Sequence, residues 1–300
     1  QRGGSEFEPI RDVVLRTLDS IEKAAKQKGN ITGLETGFRD LDAKTAGLQK
    51  SDLILIAARP AMGKTAFVLN IAEYVALHSN STIALFSLEM SKEQLVKRML
   101  AMNSMVDSQK IRTGDLEDDD WDKLVGSVRK IGNSNLVIDD TSGITASELR
   151  SKCRKLKIEQ GLDLVIIDYL QLMTGAGKRK SDSRQQEISD ISRSLKVMAR
   201  ELDVPVIALS QLSRAVEMRG SKRPMLSDLR ESGSIEQDAD IVMFIDRSMD
   251  EMEAETDGRP DWGTAELIVA KHRNGATRDI TLSFNPEYTK FGNYIDASQI

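Results

Sequence analysis

A single cysteine, Cys153, stands in 300 residues. It has no partner for an internal disulfide. With no secretory signal at the start, such a chain is expected in a reducing cytoplasm. Aromatic residues make up 4% of the chain, too few for a platform on which single-stranded nucleic acid stacks its bases. No apolar run approaches the roughly 18 residues that a membrane-spanning helix needs, so no membrane partner is expected. An excess of positive charge is missing too: 42 lysines and arginines face 47 acids, a net charge of −5. A nucleic-acid partner would need a local basic surface, such as an enclosed one. What remains is the balance of a globular protein, 40% hydrophobic and 30% charged, on a length that suits one large domain or two small ones.

The first seven residues, QRGGSEF, contain the Gly-Ser-Glu-Phe run that joined restriction sites encode. Gln1–Phe7 is therefore set aside as a cloning scar. Apolar residues then fall at Ile10, Val13, Val14, Leu18, Ile21, Ala24 and Ala25, which is helical spacing with one apolar face, and Gly29 with Asn30 ends it. Such a face must pack somewhere, either on its own domain or on a neighbouring subunit.

From Ile31 onward the pattern alternates between strand and helix. Leu53–Ala57, Thr82–Ser87, Leu136–Ile138, Leu162–Ile167 and Val204–Leu209 are short apolar runs of buried-strand character. Helical patterns lie between them, over Lys64–Leu77, Lys92–Asn103, the segment holding Leu149 and Leu156, and the face Ile188, Ile191, Leu195, Met198, Leu202. The acid run Glu117–Asp120 opens a segment that closes on Arg129 and Lys130, the charge order that a helix dipole favours, so it reads as a helix start and not as a metal site. Ile241–Ile245, Leu267–Ala270 and Ile280–Phe284 follow with short connections, as antiparallel strands added to a sheet edge. The fold expected is α/β: a mostly parallel sheet flanked by helices, with antiparallel C-terminal edge strands and ligands at the carboxyl ends of the parallel strands. Two polar, breaker-rich stretches, TGAGKRKSDSRQQ and SRAVEMRGSKRPMLSDLRESGS, read as long loops.

The strongest local signal is LILIAARPAMGKTAFVLN, Leu53–Asn70. A phosphate-binding loop carries G-x-x-x-x-G-K-[ST] between a buried strand and a helix, because backbone N–H groups and the positive helix end cradle phosphate oxygens there. Here Ala58 replaces the first glycine, which is tolerable if its torsions are ordinary. The loop Ala58, Arg59, Pro60, Ala61, Met62, Gly63, Lys64, Thr65 and Ala66 is the expected nucleotide cradle. Gly63 lets the backbone approach the anion, Lys64 reaches the β- and γ-phosphates, and Thr65 offers a hydroxyl to Mg²⁺. A second acid for the metal should end a central strand. Asp168, after the fully apolar run in LDLVIIDYLQL, is favoured over Asp139 and Asp140 in LVIDDT. Glu89, directly after a buried strand, is either a water-orienting carboxylate or a helix-start acid. Gln211 follows VPVIALS and is either a γ-phosphate contact or a loop residue.

Six segments together resemble the bacterial replicative DNA helicases of the DnaB type, which share a core with RecA: TGFRDLDAKTAGLQKSDLILIAARPAMGKTAF, FSLEMS, VIIDYLQLM, ALSQLSR, RESGSIEQDADIV and AKHRNG. The likeness runs from about Ile31 to the C-terminus, giving a RecA-like ATPase domain over 30–300, with 8–29 similar to the family's linker helix. A residue other than glycine at the position of Ala58 is common in that family. The resemblance implies Glu89 as the catalytic carboxylate, Asp168 as the Mg²⁺-linked acid and Gln211 as a sensor of the γ-phosphate. It implies that Lys271 and Arg273 reach the γ-phosphate held by a neighbouring subunit, and that Arg230, Glu231 and Gly233 hold the DNA backbone. Bottom-up, Lys271 and Arg273 read first as ordinary strand-end charges, so the neighbour-directed role leans on the resemblance, and His272 between them is a packing or surface residue. The implied cofactors are ATP and Mg²⁺. The implied partners are single-stranded DNA, further copies of the chain in a homo-hexamer, and a loader and primase for the full-length protein. The family's N-terminal domain is not in this sequence, and the acidic stretch DRSMDEMEAETDGRPDW carries no derivable role. A RecA-like filament-former and a nucleotide-gated scaffold remain the competing functions, and the RESGSIEQDADIV block weighs against both.

Overall fold

Six apolar residues in a row, Leu53–Ala58, form strand β1, and every one is buried. A strand with no polar face must be covered on both sides, which places it at the centre of a layered α/β domain. The computed structural model describes residues 7–26, 31–174, 184–212, 223–232, 235–247 and 263–295.

Among the described residues the elements run α1 (Ile10–Lys26), α2 (Arg39–Thr45), β1, α3 (Lys64–His78), β2 (Ile83–Ser87), α4 (Lys92–Ser104), α5 (Ser108–Thr113), α6 (Asp118–Gly132), β3 (Leu136–Asp139), α7 (Ala146–Gln160), β4 (Leu164–Asp168), α8 (Arg184–Leu202), β5 (Val206–Gln211), α9 (Ile235–Asp238), β6 (Ile241–Asp246), β7 (Gly263–His272), β8 (Arg278–Asn285) and β9 (Lys290–Asn293). They build one nine-stranded sheet in the order β3-β2-β4-β5-β1-β6-β7-β8-β9. Strands β1 to β6 run parallel to one another, and β7, β8 and β9 add on in antiparallel fashion beside β6 at one edge. Both features match the expectation from sequence.

Alternation along β1 divides the core. Ile54, Ile56 and Ala58 pack with Phe67, Val68 and Ile71 of α3 on one face. Leu53, Leu55 and Ala57 pack with Ile188, Ile191, Leu195 and Met198 of α8 on the other. The period of two along the strand and the 3.6-residue period along each helix meet at these two layers. α6 begins where the acid run indicates: Glu117 caps it, Asp118, Asp119 and Asp120 fill its first turn, and Arg129 and Lys130 its last.

Four short elements were not anticipated: α2, α5, α9 and β9. α2 holds because buried Asp42 accepts hydrogen bonds from the N–H groups of Thr36 and Gly37 and from the Thr36 hydroxyl. α5 is six residues long and buries none of them, and β9 has four residues, so neither carries a readable period. The two breaker-rich stretches fall largely outside the described residues, as do Gly29, Asn30 and residues 248–262 of the acidic stretch. No described helix is long and apolar enough to cross a membrane.

α1 does not dock on its own domain. Ile10, Val14, Leu15, Leu18 and Ile21 are all at least half exposed. A second bare stripe lies on α6, where Trp121, Val125 and Val128 fall at helical spacing and are likewise more than half exposed.

Candidate nucleotide site

β1 delivers the chain to a turn at its carboxyl end. Ala58 is still a strand residue, paired in register with Gln211 on one side and Ile245 on the other. It needs no glycine, because the departure from the strand comes later. Ala61 takes the left-handed region at φ 63°, and Gly63 follows at φ +90° as the residue before α3. Gly63 has a second reason to lack a side chain: a Cβ there would lie 3.0 Å from the Phe291 ring. Arg59, Met62 and Ala66 are buried although they line the cleft. The Arg59 guanidinium points to Asp246 at 3.5 Å.

The loop walls a cleft of about 690 Å³, together with Glu89, Gln94, Arg98, Gln211, Arg247 and Phe284. At its floor the Thr65 hydroxyl donates to Asp168 Oδ2 at 2.6 Å. Asp168 is 2% exposed, and its Oδ1 has no hydrogen-bond partner among the described residues. Burial raises the pKa of this carboxyl, while the Thr65 hydrogen bond and the Lys64 charge pull the other way. Lys64 stands 5.0 Å over the Tyr169 ring. Burial lowers its pKa, against the attraction of Asp168 and Glu89. A hydroxyl beside a buried carboxylate with an unused oxygen fits a hard divalent cation that takes its remaining ligands from water and phosphate. Among the described residues no group of three or more His, Cys, Asp or Glu side chains is placed to hold a metal ion.

The two rival acids sit elsewhere. Asp139 and Asp140 end or follow the edge strand β3, and their carboxylates pair with Lys152 and Lys92. Glu89 is exposed just past β2 and lines the same cleft as Lys64. Gln211 ends β5, and its backbone is clamped by a residue that sequence reasoning missed. Gln171 Nε2 donates to Ser210 Oγ at 2.8 Å and to the Gln211 carbonyl at 3.2 Å, and Gln171 Oε1 accepts from the Gln211 N–H at 3.3 Å. Its position three residues after Asp168 was a signal, but its partner becomes visible only once β4 and β5 are neighbours. Arg247 and Phe284 were also missed. The guanidinium lies 3.8 Å over the ring, and both line the cleft.

Lys271 and Arg273 lie at the other end of the sheet. β7 runs antiparallel to β6, and His272 pairs with Ile241, the first residue of β6. In the single chain Lys271 Nζ donates to the carbonyls of Glu236 at 2.5 Å and Ala239 at 2.8 Å. Arg273 contacts Asp240 at 3.2 Å and the Gln237 carbonyl at 2.5 Å. Neither faces its own phosphate loop. Arg230 and Glu231 fall within a 3-10 segment, Leu226–Ser232. Their side chains, and all of Gly233, lie outside the described residues.

The same end of the sheet gives a pH prediction. Burial, and secondarily the charge of Asp240, raise Asp52 from 3.8 to about 6, against Lys196 and Arg273. Ionising this carboxyl opposes folding, so its protonated form favours the fold fully below about pH 4, and that advantage is lost as pH rises through about 6. Asp52→Asn is therefore expected to stabilise the chain at pH 8 and to be neutral at pH 4. A shift of this size corresponds to ~3 kcal/mol, which solvent screening at a partly exposed carboxyl reduces to about 1 kcal/mol. Urea unfolding at the two pH values checks it.

A glycine-ended loop joining a central buried strand to a helix, with a buried acid on a nearby parallel strand, defines a phosphate-loop α/β protein. The chain belongs to the DnaB-like helicase C-terminal domain family, whose profile matches residues 33–293. It is 54% identical over 293 residues to the replicative DNA helicase DnaC of Bacillus subtilis (strain 168), covering 98% of this chain and 63% of that protein. The chain thus spans less than two thirds of that relative's length. Among solved structures it resembles an ATPase domain solved on its own, with a TM-score of 0.89 and 44% identity over 97% of this chain and 100% of that one. It also resembles a DnaB-like replicative helicase studied for its interactions with primase, with a TM-score of 0.85 and 43% identity over 97% of this chain and 69% of that one.

Proposed function

We propose that this chain is the ATP-hydrolysing motor of a replicative DNA helicase, working in the cytoplasm as a homo-hexameric ring on single-stranded DNA. The observation that carries the reading is the convergence of Lys64, Thr65 and buried Asp168 beside the Gly63 turn, in one cleft with Glu89 and Gln211. Backbone N–H groups of the loop and Lys64 hold the phosphates. Thr65 and Asp168 would hold Mg²⁺, which when bound would offset phosphate charge. Glu89 orients and deprotonates the attacking water. Gln211, whose backbone Gln171 fixes, reports the presence of the γ-phosphate to the segment carrying Arg230, Glu231 and Gly233. That segment follows the DNA backbone without reading bases.

Self-association supplies what the single chain lacks. Lys271 and Arg273, directed away from their own cleft, complete the site of a neighbour. The bare apolar face of α1 and the stripe on α6 would bury each other between copies, as exposed patches of this kind do at interfaces. Primase is the proposed partner of the full-length protein, on the strength of the structural relative solved for its interactions with primase, and a loader is a further one.

Phosphate release measured with and without single-stranded DNA, alongside strand separation on a forked duplex, tests the reading. Hydrolysis stimulated by the single strand, together with unwinding, is the expected result. Hydrolysis with no unwinding would favour a filament-forming, RecA-like ATPase. No turnover under either condition would leave a nucleotide-gated scaffold.

A further inference from the structure

The base of the sheet holds a network that the nucleotide site does not use. Asp240 is 6% exposed and stands just before β6. Its Oδ2 accepts from Lys196 Nζ at 2.5 Å and from the Leu53 N–H at 2.8 Å. Its Oδ1 accepts from the Arg273 guanidinium at 3.2 Å. The main chain repeats both links: the Asp240 N–H donates to the Leu53 carbonyl, and the Arg273 N–H donates to the Asp240 carbonyl, each at 2.9 Å. Leu53 begins β1, and Ala58 ends it at the phosphate loop.

We propose that Asp240 is the positioning residue of the neighbour-directed Arg273, and that it fastens this arginine to the start of the strand whose far end carries the phosphate loop. The inference rests on the shared-site reading above and adds a route between successive sites. A long, half-exposed arginine has many rotamers, and holding it in one of them shortens the search for a neighbour's phosphate. A buried carboxylate that Lys196 and a backbone N–H already orient gives the guanidinium a fixed seat. Because the seat is bonded to Leu53 and the loop follows Ala58, any shift of β1 against β6 when the loop closes on nucleotide is passed to the arginine presented to the next subunit. β1 then has the nucleotide at one end and the trigger for a different nucleotide at the other.

The test uses Asp240→Asn, which keeps the shape and an acceptor for the Leu53 N–H while removing the charge. Alone, it is expected to hydrolyse ATP about ten- to a hundredfold more slowly, with its affinity for a non-hydrolysable ATP analogue unchanged. Mixed with Lys64→Ala subunits it should regain activity above the sum of the two, because its intact loop then meets an undisturbed arginine. A structural defect in the variant's own site would not be repaired in this way. If Asp240→Asn unfolds early in a thermal scan, Asp240→Glu, which displaces the charge instead of removing it, takes its place with the same expectation. Wild-type hydrolysis by the variant, or a mixture no better than the average of its parts, overturns the proposal. A parallel mixture of Arg273→Ala with Lys64→Ala separates the two levels. If that pair also fails to complement, the shared site itself is rejected; if it complements and the Asp240 pair does not, only the role of Asp240 falls.

Discussion

Lys64→Ala is expected to lower ATP hydrolysis by about three orders of magnitude, the scale seen when a preorganised charge or donor is removed from a transition state. Lys64 lines the cleft and stands over Tyr169, attracted by the charges of Asp168 and Glu89. Burial already lowers its pKa, so its charge is poorly solvated in the free protein and gains by meeting phosphate. Without it, the repulsion of the triphosphate by the two carboxylates is offset only by the more distant charges of the cleft, such as Arg98 and Arg247. Asp168 also loses a charge that opposes the burial-driven rise of its pKa. The folded chain has little need of this lysine, whose neighbours on α3 are anchored by Phe67, Val68 and Ile71. The expected signature is loss of phosphate release together with weaker analogue binding, at an unfolding temperature close to that of the parent. A variant that turned over ATP at the parent's rate would remove the loop from the mechanism.

The contrast between Asp168 and Gln171 shows what the sequence could and could not disclose. Asp168 was legible because the apolar run before it reads as a central strand, and a strand fixes where its last residue stands. The loop was legible for a similar reason: Gly63, Lys64 and Thr65 are contiguous, so no tertiary contact is needed to bring them together. Gln171 acts on Ser210 and Gln211, some forty positions later, and nothing local records that β4 and β5 are adjacent. Phe291 is hidden in the same way. It closes the space behind Gly63 from a four-residue strand too short to show a period. Asp240 lay inside the RESGSIEQDADIV block that carries part of the family resemblance, yet its partners Leu53, Lys196 and Arg273 come from three separate parts of the chain. Sequence signals were sufficient where function rests on neighbours in the chain, and failed where it rests on strand order.

Arg273→Ala is expected to reduce the rate constant for hydrolysis by about 10³- to 10⁵-fold, the range for an arginine supplied to a phosphoryl-transfer site. Nucleotide affinity should hardly change, and the geometry gives the reason. Within one chain Arg273 is at the start of β6, whereas the cleft opens beyond its end. Six strand residues place roughly 20 Å between them. The wild-type arginine therefore contributes nothing to the cleft of its own subunit, and binding there depends on Gly63, Lys64 and Thr65. Stability should also change little. The Arg273 side chain is 46% exposed in its ion pair with Asp240, a pair worth at most about 1 kcal/mol, and Asp240 keeps Lys196 and the Leu53 N–H. A fall in kcat at constant analogue affinity marks an interaction made in the transition state and not in the ground state. Steady-state phosphate release measured across protein concentrations, with an analogue titration beside it, separates the two quantities. The parent's rate per chain should rise as copies associate and the variant's should stay flat. Equal turnover by parent and variant at every concentration would show that hydrolysis needs no arginine from a second copy.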